Sequence, residues 1–203
     1  MKLTSLKLLA FILLLLVNVS ATGAAAELQG FLGIPWGTSR ADFRTAMEKL
    51  GYTFYKEEEL GNIKHQMYEN GPYGRYNVYV ADAQFKGDAM YNGGIMIKFP
   101  NQPNQDLTYI YTEFKGLLTE KYGPPAEEKK AWEMKAGPNI GVIVTRAVWK
   151  IPNGDKAPNL ITLAHTPGFR YPGDQRLWGN FVDVGYKNEA LEKELDKGES
   201  ARM

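Results

Sequence analysis

Few side chains in this chain could carry covalent or metal chemistry. The two histidines, His65 and His165, lie far apart, neither belongs to a His-x-x-x-His pair, and cysteine is absent. No zinc site is therefore expected. Beyond residue 26 the serines are Ser39 and Ser200. Ser39 sits where a helix begins and is explained as its cap, and Ser200 lies in a polar tail. Neither occupies a nucleophile-elbow context, so serine or cysteine nucleophilic catalysis is not expected. His165, with Thr162 and Thr166 beside it, could act as a general base, but a strand histidine with a satisfied hydrogen bond is the stronger reading.

Phosphate and carboxylate chemistry are also weakly supported. The glycines of Gly30-Phe31-Leu32-Gly33-Ile34-Pro35-Trp36-Gly37 precede a helix but lack G-x-G-x-x-G spacing and a following lysine. A helix amino end with Arg40 nearby can hold an anion, yet an entry turn that sends Trp36 into the core accounts better for these residues. The acidic runs Glu57-Glu58-Glu59 and Glu127-Glu128 stand beside Lys56 and Lys129-Lys130. Such runs read as solvated, ion-paired surface rather than as a glycosidase pair.

Two segments have the composition of binding surfaces. Thr166 to Trp178 is a long connection that holds Phe169, Arg170, Tyr171, Arg176 and Trp178 with two Pro-Gly pairs. Long connections in compact domains are uncommon, and aromatic residues with arginine make binding hot spots. These five residues are the candidate binding surface. The tyrosines Tyr68, Tyr73, Tyr76, Tyr79 and Tyr91 could stack against a sugar, although tyrosine is also a favourable strand residue.

The elements that must position these groups follow from periodicity. Phe43, Ala46, Met47 and Leu50 recur at helical spacing, with Thr38 or Ser39 as cap and Gly51 as stop, so a helix is expected over about 39–50. From Tyr52 to Phe99 the period becomes two, and three or four antiparallel strands are expected. Tyr91, Gly93, Ile95, Ile97 and Phe99 should share a face, while the phase slips within Tyr76–Phe85, as a strand buried on both sides or a bulge would explain. A second helix spans about 106–122, with Leu107, Ile110, Tyr111, Phe114, Leu117, Leu118 and Lys121 on its inner face, and Gly123-Pro124-Pro125 ends it. Strands are expected near 127–135, 140–151, 158–165 and 177–186, and a charged helical tail over 188–203. The order predicts an α+β fold of two helix-plus-antiparallel-meander halves, pseudo-repeats 30–102 and 103–187, within a single domain 27–187. The helices should pack on one face of the sheet.

Composition sets the wider frame. The chain has 203 residues, 44% hydrophobic and 23% charged, with a formal net charge of +1. This is ordinary globular usage. Lys2 and Lys7, the apolar run Leu8–Val17 and the small residues Ala21–Ala26 have the order of a secretory signal peptide, cut after Ala26 or after Ala21. The run is short against the ~20 residues a spanning helix needs. Export to the periplasm or the medium follows, with no stable membrane insertion after cleavage. The remaining chain is near neutral, which gives no broad attraction to nucleic acid. Without cysteine, stability must come from packing.

The stretch Gly33-Ile34-Pro35-Trp36-Gly37-Thr38-Ser39, the helix after it and Gly51-Tyr52 resemble the opening of uncharacterised exported bacterial proteins. Lys121-Tyr122-Gly123-Pro124, the Trp149 strand, Leu160-Ile161-Thr162-Leu163 and Val184-Gly185-Tyr186-Lys187-Asn188 extend that resemblance. It implies a layout similar to beta-lactamase-inhibitor-like and small outer-membrane-assembly lipoprotein folds, built from repeated helix-plus-sheet units. It assigns no catalytic, cofactor or metal residues. The chain is thus expected to be a non-enzymatic periplasmic protein that binds another envelope protein through residues 166–178 and the adjoining sheet. The alternative is a carrier of a small aromatic or carbohydrate ligand in a cleft between sheet and helices.

Overall fold

A computed structural model describes residues 27–99, 105–134, 141–168 and 179–200. Residues 1–26, which read as a signal peptide, and the candidate residues Phe169, Arg170, Tyr171, Arg176 and Trp178 lie outside the described residues. The fold is α+β. A small hairpin of β1 (Gly30–Phe31) and β2 (Ile34–Pro35) leads into helix α1 (Arg40–Lys49). Strands β3 (Thr53–Leu60) and β4 (Ile63–Glu69), a second hairpin of β5 (Pro72–Tyr73) and β6 (Tyr76–Asn77), and strands β7 (Val80–Lys86) and β8 (Ala89–Ile97) follow. Helix α2 (Thr108–Tyr122) precedes β9 (Glu127–Met134), β10 (Gly141–Ile151), β11 (Asn159–Thr166) and β12 (Phe181–Asn188), and α3 (Glu189–Ser200) comes last. Eight strands form one antiparallel sheet in the order β3-β4-β7-β8-β12-β11-β10-β9. None of the described helices is long and apolar enough to cross a membrane.

Local chemistry explains the element ends. Ser39 caps α1: its Oγ accepts from the Asp42 amide at 3.2 Å and donates to the Asp42 carboxylate at 2.7 Å. Asp106, just before the N-cap residue Leu107 of α2, accepts from the Thr108 amide at 2.9 Å. The phase slip within 76–85 has a definite origin. Tyr76–Asn77 belongs to the small hairpin and Val80 starts a different strand. A bulge between Gln84 and Phe85 then leaves Tyr91 as the extra residue of β8. Tyr91 therefore leaves the face of Gly93, Ile95 and Ile97, and its hydroxyl donates to Gln84 Oε1 at 3.2 Å.

One sheet face is apolar and carries α1 and α2. The register puts Tyr68, Ala81, Ile95, Val184 and Leu163 in one row across β4, β7, β8, β12 and β11. Phe43 of α1 meets Tyr68 and Phe85 edge-on at 5.8 and 5.5 Å. Such pairs add about 0.5–1.5 kcal/mol beyond burial. Phe31, fully buried, bridges Phe43 and Tyr186, at 6.3 and 5.8 Å. Its ring lies against Gly93, where an added Cβ would stand 2.3 Å from Phe31 Cδ1.

Helix α3 packs against β7, β8 and β11. Lys86, 6% exposed, anchors it through Asp196 at 2.5 Å and Glu192 at 3.7 Å, with its ammonium over the Tyr91 ring. The charged tail expected from the sequence is thus a docked helix.

Two substitutions test this packing. Gly93→Ala should lower unfolding stability in urea by about 1–3 kcal/mol, because neither the sheet nor Phe31 can yield freely. Lys86→Ala should free α3 while leaving the sheet intact. Amide hydrogen exchange should accelerate over 189–198 at a local cost of about 1–3 kcal/mol, and unchanged protection there would refute the anchoring role.

Candidate functional site

The β5–β6 hairpin stands off the main sheet and makes one wall of a cleft. Its position is fixed by close packing. The Tyr52 ring lies against Gly71 so tightly that a Cβ on Gly71 would come within 2.0 Å of the ring. The Tyr52 hydroxyl donates to the Pro72 carbonyl at 2.8 Å, and the Val78 amide donates to the Gly71 carbonyl at 2.8 Å. A two-residue turn, Gly74-Arg75, with Gly74 at φ 59°, pairs Tyr73 with Tyr76. Directly paired residues of an antiparallel hairpin project to the same side. Both tyrosines therefore point toward α2.

Helix α2 supplies the other wall. Phe114 sits between the two tyrosines, edge-on to Tyr73 at 5.4 Å and 87° and to Tyr76 at 5.5 Å and 88°. Leu117, Leu118, Lys121 and Tyr122 continue this wall, and Val184 and Tyr186 of β12 complete the lining of a cavity of about 290 Å³. That volume lies near the lower end for small-molecule sites. Leu117, expected on the inner face of α2, is 56% exposed. It borders the cleft instead of being covered by the core.

Polar groups in the cleft are few and specific. The Tyr73 and Tyr186 hydroxyls meet at 2.6 Å. Burial pushes the Tyr73 pKa up, opposed by its hydrogen bond to Tyr186. Burial raises that of Tyr186 well above the ordinary tyrosine value, and Tyr73 adds to the effect. Both stay protonated at neutral pH. At the rim, Glu113 accepts from the Arg75 guanidinium and from the Tyr76 hydroxyl, the latter at 2.7 Å. The arrangement offers aromatic surface and neutral hydroxyls, suited to holding a ligand rather than to attacking one.

The other sheet face carries a shallower trough of about 270 Å³. Gly94 and Gly185 pair across β8 and β12 and form its floor. Asp82, Gln84, Asn92, Met96 and Asp183 flank it. Its polar side chains are largely bonded to one another: His65 Nδ1 to Asp82 at 3.1 Å, Gln84 Nε2 to Asp82 at 3.3 Å, and Asn92 Nδ2 to Gln84 Oε1 at 2.9 Å.

The residues singled out from the sequence are dispersed. Of the tyrosine stretch, Tyr73 and Tyr76 reach the cleft, whereas Tyr68 and Tyr91 are buried and Tyr79 is exposed under Lys98. Arg40 is held by Asp88 and Glu57, at 2.9 and 2.7 Å, which leaves the α1 amino end no separate cation for an anion. Trp36 donates to the Leu28 carbonyl at 3.0 Å and packs on the core. Glu58 pairs with Lys56, Glu59 with Lys64, Glu127 with Lys150 and Glu128 with Lys115. The sequence reading did not single out Tyr122, Tyr186, Glu113 or Arg75 for a site. The Tyr-Gly-Arg-Tyr turn was the available signal, since a two-residue hairpin aligns its flanking tyrosines.

His165 lies on the helix-bearing face beside the Tyr111 ring, with centroids 6.4 Å apart. Burial lowers its pKa from the usual 6.5, opposed by the Asp106 charge and a hydrogen bond with Asn180. A histidine more easily protonated when unfolded stabilises the fold fully above about pH 6.5 and loses that contribution as the pH falls through the lower folded value. Thermal unfolding should accordingly show a fall in Tm between pH 7.5 and 5, and His165→Gln should flatten that fall. An identical profile in both proteins would contradict the assignment.

No family model, curated protein or solved structure matches this chain.

Proposed function

We propose that this chain is an exported, non-enzymatic binding protein that takes a small aromatic or otherwise apolar molecule between the β5–β6 hairpin and α2. The single observation that carries this reading is the cleft itself. Its two walls come from different elements, its lining is mainly aromatic and aliphatic, and Leu117 remains exposed at its edge. Exposed apolar lining with a few convergent polar groups is the usual character of a ligand site. The basic, apolar and small-residue order of the first 26 residues supports export to the periplasm.

The same reading takes the domain as two related halves. Helices α1 and α2 are each followed by a four-stranded antiparallel meander in the main sheet, and the meanders meet through their last strands, β8 and β12. Both α1 and α2 are followed by a glycine of positive φ, Gly51 at 89° and Gly123 at 81°, next to Tyr52 or Tyr122. Such a duplication is what the resemblance to exported proteins of repeated helix-plus-sheet layout implies.

A second reading is the binding of another envelope protein through residues 166–178 and the sheet face opposite α1 and α2. It is favoured by the Gly94–Gly185 trough, since this segment joins β11 to β12 and β12 carries Asp183 and Gly185 of the trough.

Native mass spectrometry of protein recovered gently from its own cell envelope separates the two. A small-molecule mass increment is expected, and Leu117→Arg should reduce the bound fraction at least ~10-fold by placing a cation against the apolar wall. A protein complex carrying no increment would move the assignment to the second reading. A bare chain that also takes up no aromatic probe would overturn the carrier reading.

A further inference from the structure

The Tyr73–Tyr186 pair holds one proton more than it uses. A tyrosine hydroxyl brings one donor hydrogen and can also accept. Two hydroxyls therefore bring two hydrogens, and their mutual contact at 2.6 Å uses one, whichever ring donates. Among the described residues neither hydroxyl has another hydrogen-bond partner. Both rings line the cleft together with the apolar Phe114, Leu118 and Val184 and with Tyr122, to which no hydrogen bond from either runs among the described residues. A buried donor without an acceptor costs on the order of a whole hydrogen bond. A ligand oxygen that enters the cleft can accept it.

We propose that the second hydroxyl proton is donated to the bound ligand, so that the cleft selects a compact aromatic molecule bearing a carbonyl oxygen over a hydrocarbon of the same shape. This rests on the reading of the cleft as a ligand site and specifies what that site accepts. A sugar is disfavoured, because each of its several hydroxyls would need a partner in a lining that is mostly carbon. An aryl ketone asks for one donor and aromatic surface, and the edge-on rings of Tyr73, Phe114 and Tyr76 provide that surface.

The proton count gives an unusual mutational signature. Replacing either tyrosine by phenylalanine removes the mutual hydrogen bond but leaves the remaining hydroxyl with its own proton free to donate. Both single variants keep the preference for a carbonyl. Only Tyr73→Phe combined with Tyr186→Phe removes it. A tyrosine that served packing alone would give no such pattern.

The test uses acetophenone and α-methylstyrene, two planar probes that differ by an oxygen in place of a methylene. Their dissociation constants would be measured on the chain beginning at Glu27, its two single variants and the double variant. The ratio of ketone to alkene affinity should be equal, to within a few-fold, in the parent and both single variants, and should fall about tenfold in the double variant. The infrared carbonyl stretch of bound acetophenone gives a readout on the parent protein alone. It should lie below its frequency in a hydrocarbon solvent. A ratio unchanged in the double variant, or an unshifted carbonyl stretch, would overturn the proton-donation proposal while leaving a cleft that binds both probes. A single variant that loses as much as the double variant would also overturn it. Failure of both probes to bind the parent would remove the ligand-site reading, and this proposal with it.

Discussion

The fold depends on a contact between an aromatic ring and a residue with no side chain. Phe31 lies flat against the backbone of Gly93, in a space that a single methyl group would fill. Gly93 pairs with Tyr186 across β8 and β12, the strands through which the two four-stranded meanders join. Phe31 therefore sits over the join and touches groups on both sides of it. It stacks near Phe43 of α1, and it meets the ring of Tyr186. A fully buried ring of this kind contributes about 1.5–3 kcal/mol through burial alone. Here it also sets how α1 and β12 stand relative to one another.

The cleft is a consequence of that join. Tyr186 is held from one side by Phe31, so its hydroxyl is presented to Tyr73 of the β5–β6 hairpin. The hairpin is in turn fixed by the Tyr52 ring against Gly71. Two sites of close approach between a ring and a glycine thus brace both ends of the tyrosine pair. A cavity braced in this way is largely formed before anything enters it, which lowers the ordering cost of binding. The opposite face differs for a related reason. Gly94 and Gly185 leave a depression there, but its polar side chains bond to one another and keep little capacity for a guest.

Much of the scaffold was legible in residue patterns because short-range physics governs it. Ser39 with Asp42 marks the start of α1, and Gly123 before two prolines marks the end of α2. Alternation placed β10 and β11 to within one residue of where they lie, whereas β12 begins at Phe181, four residues beyond its expected start. The misplacements are also physical. Tyr91 was grouped with Gly93 because alternation was assumed to run unbroken, and a bulge intervenes. Leu117 was assigned to the core by its spacing, but helical periodicity identifies a face without saying whether a neighbour covers it.

By itself the sequence determined the α+β class, the order of helices and strands, and the poverty of nucleophiles and metal ligands. Each of these rests on composition or on contacts between residues close in the chain. Only the tertiary structure brought Tyr73 to Tyr186, 113 positions apart, and set Phe114 between Tyr73 and Tyr76. No local pattern marks such a pairing. It depends on the order of strands in the sheet and on where a two-residue turn aims a hairpin, and both are settled by long-range packing around Gly93 and Gly71.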